Sequence, residues 1–68
     1  MTLSARNQLT GKVETVTLGD IMAHVVISIG GQQVESVITR ASAEAMQLKQ
    51  GDSVRAVIKS TEVMIQKD

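Results

Sequence analysis

Two short segments, one near each end of the 68-residue chain, each combine one positive charge with hydroxyl donors. The first segment reads SARNQL over residues 4–9, and the second reads KST over residues 59–61. Arginine offers a planar fork of N–H groups, lysine a compact positive charge, and serine and threonine a hydroxyl donor. Neither segment contains a carboxylate, so together they have the chemistry of an anion site. A solvated terminal segment without a ligand is the alternative that the residues alone leave open.

Catalytic and metal-binding groups are sparse in the sequence. His24 is the single histidine, and its position between Met22 and Val26 on a predicted strand favours a surface or interface residue over a base or a metal ligand. The carboxylates show no paired spacing, there is no cysteine, and GKV at residues 11–13 lacks the other residues of a phosphate-binding loop. The sequence therefore predicts a protein that is not an enzyme and that has no cofactor and no metal site.

Composition limits the partners and the compartment that we expect. Seven Lys and Arg residues balance seven Asp and Glu residues, so the chain has no overall basic field for nucleic acid. It contains no Phe, Tyr or Trp, the side chains on which single-stranded bases stack. No apolar run is long enough to cross a membrane, the N-terminus lacks a signal-peptide pattern, and no cysteine is available for a disulfide. We therefore expect a cytoplasmic protein that binds neither nucleic acid nor membranes.

Alternating apolar residues predict strands in the first half of the chain. The first strand covers residues 8–18 and ends at a turn formed by Gly19-Asp20. The next two strands, over residues 21–29 and 34–38, are joined by Gly30-Gly31. Paired glycines between alternating segments are typical of a tight hairpin, so these two strands are predicted to pair.

The second half of the chain begins with a break in this alternation. The segment TRASAEAMQLKQGD predicts one short helix, with Thr39 or a neighbouring hydroxyl as its N-cap and Gly51 beyond its end. Strand alternation resumes over residues 54–59, and a last short strand is predicted at residues 63–65. The order predicts an all-β fold, a five-stranded Greek-key barrel of the oligonucleotide/oligosaccharide-binding (OB) type with one short helix between strands 3 and 4.

Apolar side chains also occupy positions that the alternation turns outward. These residues are Val16, Leu18, Met22, Val26, Val37, Val57 and Met64. A solvated sheet face has polar residues at such positions, and a chain of this length has only one modest core in which to bury apolar ones. Imperfect alternation is one explanation. Burial between copies is the other, and it predicts a homo-oligomer with closed symmetry.

Two longer segments resemble the signatures of a known family. SARNQLTGKV and AVIKSTEVMI are similar to the two motifs of the molbindins, which are small molybdate-binding (Mop) proteins, and VITRAS at residues 37–42 also fits. The resemblance covers residues 4–65. It implies one Mop/TOBE-like domain over residues 1–68 and a hexamer built as a trimer of dimers. It also implies binding of molybdate or tungstate between subunits, for intracellular molybdenum storage, buffering or homeostasis.

The resemblance further implies which residues hold the oxyanion, by hydrogen bonds and charge rather than by metal ligation. One part of the site consists of Ser4, Arg6, Lys59 and Ser60, and the other, from a neighbouring chain, of Thr39, Ala41 and Ser42. Molybdate is a dianion without a proton at neutral pH, so donors, positive charge and a helix start all suit it. Asn7 and Gln8 are expected to tie strand or subunit backbone. The alternatives are a Thr39 that only caps the helix, and a barrel that binds nucleic acid or serves as a ligand-free assembly module.

Overall fold

The computed structural model describes residues 6–68 of the chain. In chain order, the elements are β1 (Asn7–Leu18), β2 (Met22–Ile29), β3 (Gln32–Thr39), α1 (Arg40–Ala45) and β4 (Ser53–Ile58). The strands form one antiparallel sheet in the order β3-β2-β1-β4. The predicted all-β class and the single short helix between the third and fourth strands are therefore confirmed.

β1 is the longest strand, and it has a different partner along each half. Residues 7–12 pair with β4, and residues 12–18 pair with β2. Gly11 lies close to the point at which β1 changes partner, and a Cβ atom there would be only 2.5 Å from the carbonyl oxygen of Ser28. Because no real Cβ atom tolerates that distance, glycine is required where the two strands approach each other most closely.

A β-bulge at Glu14 changes which side chains of β1 face the core. The pairing of β1 with β2 shifts between Val13 and Thr15, so one extra residue reverses the alternation beyond this point. Val16 and Leu18 consequently lie opposite buried residues of β2, and Val16 packs against the core. The prediction that these two side chains face outward is wrong, because a regular period of two cannot reveal an inserted residue.

β2 and β3 form the predicted hairpin across Gly30-Gly31. The φ angles of the two glycines are 53° and 84°, which is the left-handed region that a type I′ turn requires at both central positions. The two strands pair without a register shift, from Met22 opposite Thr39 to Ile29 opposite Gln32. The turn residues thus determine both the position and the register of this hairpin.

The core is small and built from aliphatic side chains on the inner face of the sheet. Its buried cluster consists of Val13, Val25, Ile27 and Ala56. Partly buried residues from every strand and from the segment after α1 pack around the cluster, among them Val16, Ile29, Val34, Ile38, Leu48 and Val54. No helix within residues 6–68 has the length and apolar character needed to span a membrane.

The predicted fifth strand does not form, and the barrel is not closed. Within residues 6–68, the chain after β4 makes a short 3₁₀ turn at Ser60–Glu62 and then continues without strand pairing. Val63, Met64 and Ile65 are 51%, 94% and 94% exposed. Their apolar alternation predicts burial, but a strand forms only where a neighbouring strand accepts its backbone hydrogen bonds, and no strand within residues 6–68 pairs with this segment.

The missing strand leaves an apolar groove between β3 and β4, the two end strands of the sheet. Its volume is about 370 Å³, and core residues of β1 and β2 form its floor. Residues 34–36 and 54–58 lie along its two sides. Each end strand therefore presents one edge that is not hydrogen-bonded to another strand of the described sheet.

Candidate oxyanion-binding site

The pairing of β1 with β4 brings the two terminal donor segments together. Asn7 is paired with Ile58, so Arg6 and Lys59 are the next residues beyond the last pair of this ladder. Residues directly opposite each other in an antiparallel pair have Cα atoms about 4.5–5.5 Å apart. Arg6 and Lys59 are both exposed, so two positive charges lie next to each other at this end of the sheet.

Ser60 follows Lys59 at the start of the 3₁₀ turn. The backbone N–H of Glu62 donates to the carbonyl oxygen of Lys59 at 2.9 Å, which closes the turn. Ser60 is exposed, and its hydroxyl has no protein partner within the described residues. Ser4, the fourth residue assigned to this part of the site, lies outside residues 6–68. We call Arg6, Lys59 and Ser60 the terminal donor group.

Thr39 and Ser42 lie at the start of α1 and are joined by two hydrogen bonds. Thr39 is the N-cap, and its Oγ1 accepts the backbone N–H of Ser42 at 3.0 Å. The hydroxyl of Thr39 in turn donates to Oγ of Ser42 at 2.8 Å. A hydroxyl has one proton. The hydroxyl proton of Thr39 is donated to Ser42, so the hydroxyl proton of Ser42 has no partner within the described residues and can be donated to a ligand. The structure thus identifies Thr39 as a cap that positions Ser42.

Ala41 has an apolar side chain, so the donor it could offer a ligand is its backbone N–H. At the start of a helix the first N–H groups have no partner within the helix. The backbone N–H of Arg40 donates to the carbonyl oxygen of Ile21 at 2.7 Å. Within residues 6–68, the N–H of Ala41 has no such partner, and the residue is exposed. The N–H of Ala41 and the hydroxyl of Ser42 are thus two free donors on the first turn of α1; together with Thr39 they form the helix-start group.

The two groups do not meet within one chain. The terminal donor group lies at the N-terminal end of β1, next to Asn7. The helix-start group lies at the other end, because Thr39 is paired with Met22 and the carbonyl oxygen of Met22 accepts the N–H of Gly19 at 2.8 Å. β1 has 12 residues between these ends, and at about 3 Å per residue in a bulged, twisted strand it extends along most of the molecule's longest dimension of 35 Å. A single small anion cannot contact both groups of the same molecule.

Arg55 is a charged residue near this site that the sequence did not reveal. Its Nη1 donates to Oε1 of Gln8 at 3.1 Å, across the pairing of β4 with β1. Gln8 therefore holds a side chain of the neighbouring strand, whereas the sequence predicted a backbone contact. Asn7 is the first residue of β1 and pairs with Ile58. The two partners of the Arg55–Gln8 bond are 47 residues apart, and only the register of the two strands brings them together.

His24 lies on the outer face of the sheet, opposite Val37 of β3. Its Nε2 is 2.7 Å from Oε1 of Glu35 on β3, and both side chains are exposed. Cross-strand pairs of this kind are common on solvated sheet faces. Within residues 6–68, no cluster of three or more His, Cys, Asp or Glu residues has the geometry to hold a metal ion.

Comparison with known proteins places the chain in a family. The family model of the TOBE domain matches residues 3–65. Molybdenum-pterin-binding protein 3 of Clostridium pasteurianum is 52% identical over 66 residues, which cover 96% of this chain and 97% of that protein. The chain is a TOBE domain of the molybdenum-pterin-binding (Mop) family. The resemblance noted in the two terminal motifs is thereby confirmed.

Solved structures agree with this membership. The molybdate-binding protein of Sporomusa ovata superimposes on this Mop chain with a TM-score of 0.94 and 34% identity, covering 98% of this chain and all of the other. MopII of Clostridium pasteurianum gives a TM-score of 0.90 and 45% identity, over 97% of this chain and all of the other. The strand order and the open sheet described above are therefore those of a Mop protein.

Proposed function

We propose that this chain binds molybdate as one domain over residues 1–68, between copies of itself, and that it is a binding protein rather than an enzyme. The observation that carries the proposal is the pair of donor groups. Both are exposed, both consist of donors, and neither includes a carboxylate. A solved structure that this chain resembles is that of a protein named for molybdate binding. The same chemistry accepts tungstate, which has the same charge and nearly the same shape.

The donor groups suit a dianion without protons. Arg6 and Lys59 supply two positive charges, and the hydroxyl of Ser60 supplies a neutral donor; by resemblance, Ser4 adds a second hydroxyl. The hydroxyl of Ser42 and the N–H of Ala41 complete the set from the helix-start group. Hydrogen bonds to a charged group contribute about 1.5–3 kcal/mol each. Four or five of them offset the cost of removing a dianion from water only when all of them converge on it.

The separation of the two groups supports a site shared between chains. A terminal donor group of one copy and a helix-start group of another have to face each other, because the two ends of β1 keep them apart in one molecule. Such a site exists only in an oligomer. The family resemblance specifies the oligomer as a hexamer, a trimer of dimers, with ligand between the subunits.

The exposed apolar surface supports the same assembly. The groove between β3 and β4 has apolar walls and two free strand edges. The segment Val63–Ile65 is apolar and exposed, and its alternation is that of a strand. We assign this segment of a second copy as the occupant of the groove, where it would add a strand by main-chain hydrogen bonds. Val37 and Val57, which are 65% and 45% exposed, extend the apolar surface on the outer face.

The physiological role that follows is intracellular. A protein that holds molybdate reversibly in the cytoplasm serves molybdenum storage, buffering or homeostasis. The reversible step requires no cofactor, because the oxyanion is bound by hydrogen bonds and charge.

Calorimetric titration with sodium molybdate tests the proposal. Wild-type protein is expected to bind, and Arg6→Ala or Lys59→Ala is expected to weaken binding at least tenfold, since each removes a charged donor. Lys67→Ala is the control, because it removes an exposed positive charge of the C-terminal tail. Circular dichroism and light scattering establish that each variant is folded and assembled. A wild-type protein that releases no heat with molybdate and shows no thermal stabilisation by it contradicts the proposed function.

A further inference from the structure

The outer face of the β1–β4 ladder carries four positive charges and no carboxylate. Successive side chains of a strand point to opposite faces, so the residue pairs of this ladder alternate between the inner and the outer face. The inner pairs are Leu9 with Ala56 and Gly11 with Val54. The outward pairs are Gln8 with Val57, Thr10 with Arg55, and Lys12 with Ser53. Extended by one residue, the same alternation places Arg6 and Lys59 on this face. The chain as a whole is neutral, so the face is a local excess of positive charge.

None of these four cations is neutralised within residues 6–68. The described ion pairs are His24 with Glu35, Arg40 with Glu44, and Lys49 with Asp52. Arg6, Lys12, Arg55 and Lys59 take part in none of them. Like charges concentrated on one face repel each other, and a bound anion relieves that repulsion. The position of each cation then decides whether it acts on the same anion.

Arg55 points along the face toward the terminal donor group. Its hydrogen bond to Gln8 is diagonal, because the residue directly opposite Arg55 is Thr10. Gln8 is two residues from Arg6, whereas Arg55 itself is four residues from Lys59. A neutral amide oxygen therefore holds the guanidinium without cancelling its charge, and most of its five N–H donors stay free.

We infer that Arg55 is a third cation of the oxyanion site, positioned by Gln8 and acting on the bound anion through its charge. The inference rests on the proposed function and adds a residue that the family motifs do not include. Arg6 and Lys59 contact the anion, and Arg55 raises the positive potential around it through the guanidinium that Gln8 holds. A site with three cations favours a dianion over a monoanion more strongly than a site with two.

The size of the effect follows from the geometry. The hydrogen bond holds the guanidinium of Arg55 next to Gln8, and Gln8 lies two residues, or about 6.5 Å, from Arg6 along the same face. At about 8 Å, the attraction between one positive charge and a dianion, screened by the dielectric constant of water, corresponds to about a sixfold change in Kd. Lys12 lies six residues from Arg6, about 20 Å along the strand. At low salt the same estimate gives Lys12 about a twofold effect on the anion, and at physiological salt, where the distance exceeds two Debye lengths, it gives almost none.

Molybdate calorimetry on the full chain, with matched variants, tests the inference. Arg55→Gln removes the charge and keeps a side chain that can bond to Gln8, and we expect about sixfold weaker binding. Arg55→Lys keeps the charge, so its affinity should stay within about twofold of wild type. Lys12→Gln removes a charge from the same face and is the control. Arg55→Thr, a good strand former, replaces Arg55→Gln should that variant not fold.

Salt separates a charge effect from a structural one. At about 1 M salt the Debye length falls to about 3 Å, so the difference between wild type and Arg55→Gln should nearly vanish if charge is its cause. An Arg55→Gln affinity that is within twofold of wild type at low salt, or no weaker than that of Lys12→Gln, overturns the inference, as does a difference that persists at high salt. If Arg6→Ala abolishes binding while Arg55→Gln does not alter it, the proposed function stands and only the role of Arg55 is wrong.

Discussion

The replacement Ser42→Ala separates anion binding from helix capping at the start of α1. Thr39 accepts the backbone N–H of residue 42, and alanine keeps this N–H. What the variant loses is the hydroxyl that accepts from Thr39 and that has its own proton free for a ligand. Ser42 is exposed, so no cavity forms when the hydroxyl is removed.

The two expected effects differ greatly in size. A hydrogen bond between exposed hydroxyls contributes about 0.5–1.5 kcal/mol at most, and the higher helix propensity of alanine offsets about 0.5 kcal/mol of its loss. The melting temperature should therefore change by only a few degrees. A hydrogen bond to a dianion contributes about 1.5–3 kcal/mol, so the Kd for molybdate should rise by about 10-fold to 150-fold.

Thr39→Ala should give a different pattern. It removes the N-cap, which contributes about 1 kcal/mol, so the melting temperature should fall by about 4–8 °C. Binding should weaken as well, because Ser42 loses the partner that orients its hydroxyl. Ser53→Ala removes an exposed hydroxyl outside both donor groups and controls for the loss of a serine.

Titration calorimetry and thermal unfolding of the four proteins give the two quantities independently. A folded Ser42→Ala that binds molybdate with wild-type affinity refutes the assignment of the free hydroxyl proton to the ligand. Thr39 would then be only a cap, and the helix-start group would not belong to the site.

Further predictions concern the fold, the assembly and the selectivity. Gly11→Ala should destabilise the chain by about 1–3 kcal/mol through overpacking, measured by urea unfolding; Gly19→Ala, whose Cβ would be 3.1 Å from the nearest atom, should cost less. The backbone N–H and ammonium of Lys49 hold the pKa of Asp52 below its ordinary value of 3.8, so Asp52→Asn should lower the melting temperature at pH 7. The difference in melting temperature should persist down to about pH 4 and disappear as the pH falls through the lowered pKa, because the protonated carboxyl no longer stabilises the fold. A difference that is unchanged at pH 2 contradicts an electrostatic origin. Deletion of residues 63–68 should reduce the proposed hexamer to smaller species, as measured by light scattering, whereas deletion of residues 66–68 should not. A hexamer that stays intact in both cases refutes the strand addition. In competition calorimetry, the affinity for tungstate should be close to that for molybdate, the affinity for sulfate lower, and the affinity for phosphate at least about tenfold lower, because the set of donors offers no acceptor for the proton of phosphate. Displacement of molybdate by equimolar phosphate would reveal an acceptor in the site.

Local signals in the sequence predicted the elements that local interactions form. The Gly30-Gly31 turn determined the β2–β3 hairpin, and Thr39 was identified as the cap of α1 because both depend on residues a few positions apart. The bulge at Glu14 was missed, since one inserted residue looks like imperfect alternation. The strand expected at residues 63–65 has the right pattern but no partner among residues 6–68, and the pattern does not reveal which molecule provides one.

The candidate site was predictable to the extent that its residues lie in continuous motifs. Arg6, Lys59 and Ser60 occur in two such segments, and strand pairing brings them together as the resemblance implies. Arg55 has no such motif around it. Its relation to the site depends on the register that places it diagonally to Gln8, and a single sequence does not contain that register.

On the proposed function, the positive face of β1–β4 links ligand binding to assembly. Each terminal donor group adds two neighbouring cations to a site that exists only between chains, and no carboxylate on that face compensates them. Without an anion these like charges repel each other and oppose the closing of the site, whereas the burial of apolar groove and tail surface favours it. An oxyanion that binds only the assembled form stabilises that form. Assembly in turn strengthens binding of the oxyanion by the same free energy. Molybdate therefore acts as a ligand of the oligomer, and its affinity should depend on protein concentration wherever the oligomer dissociates.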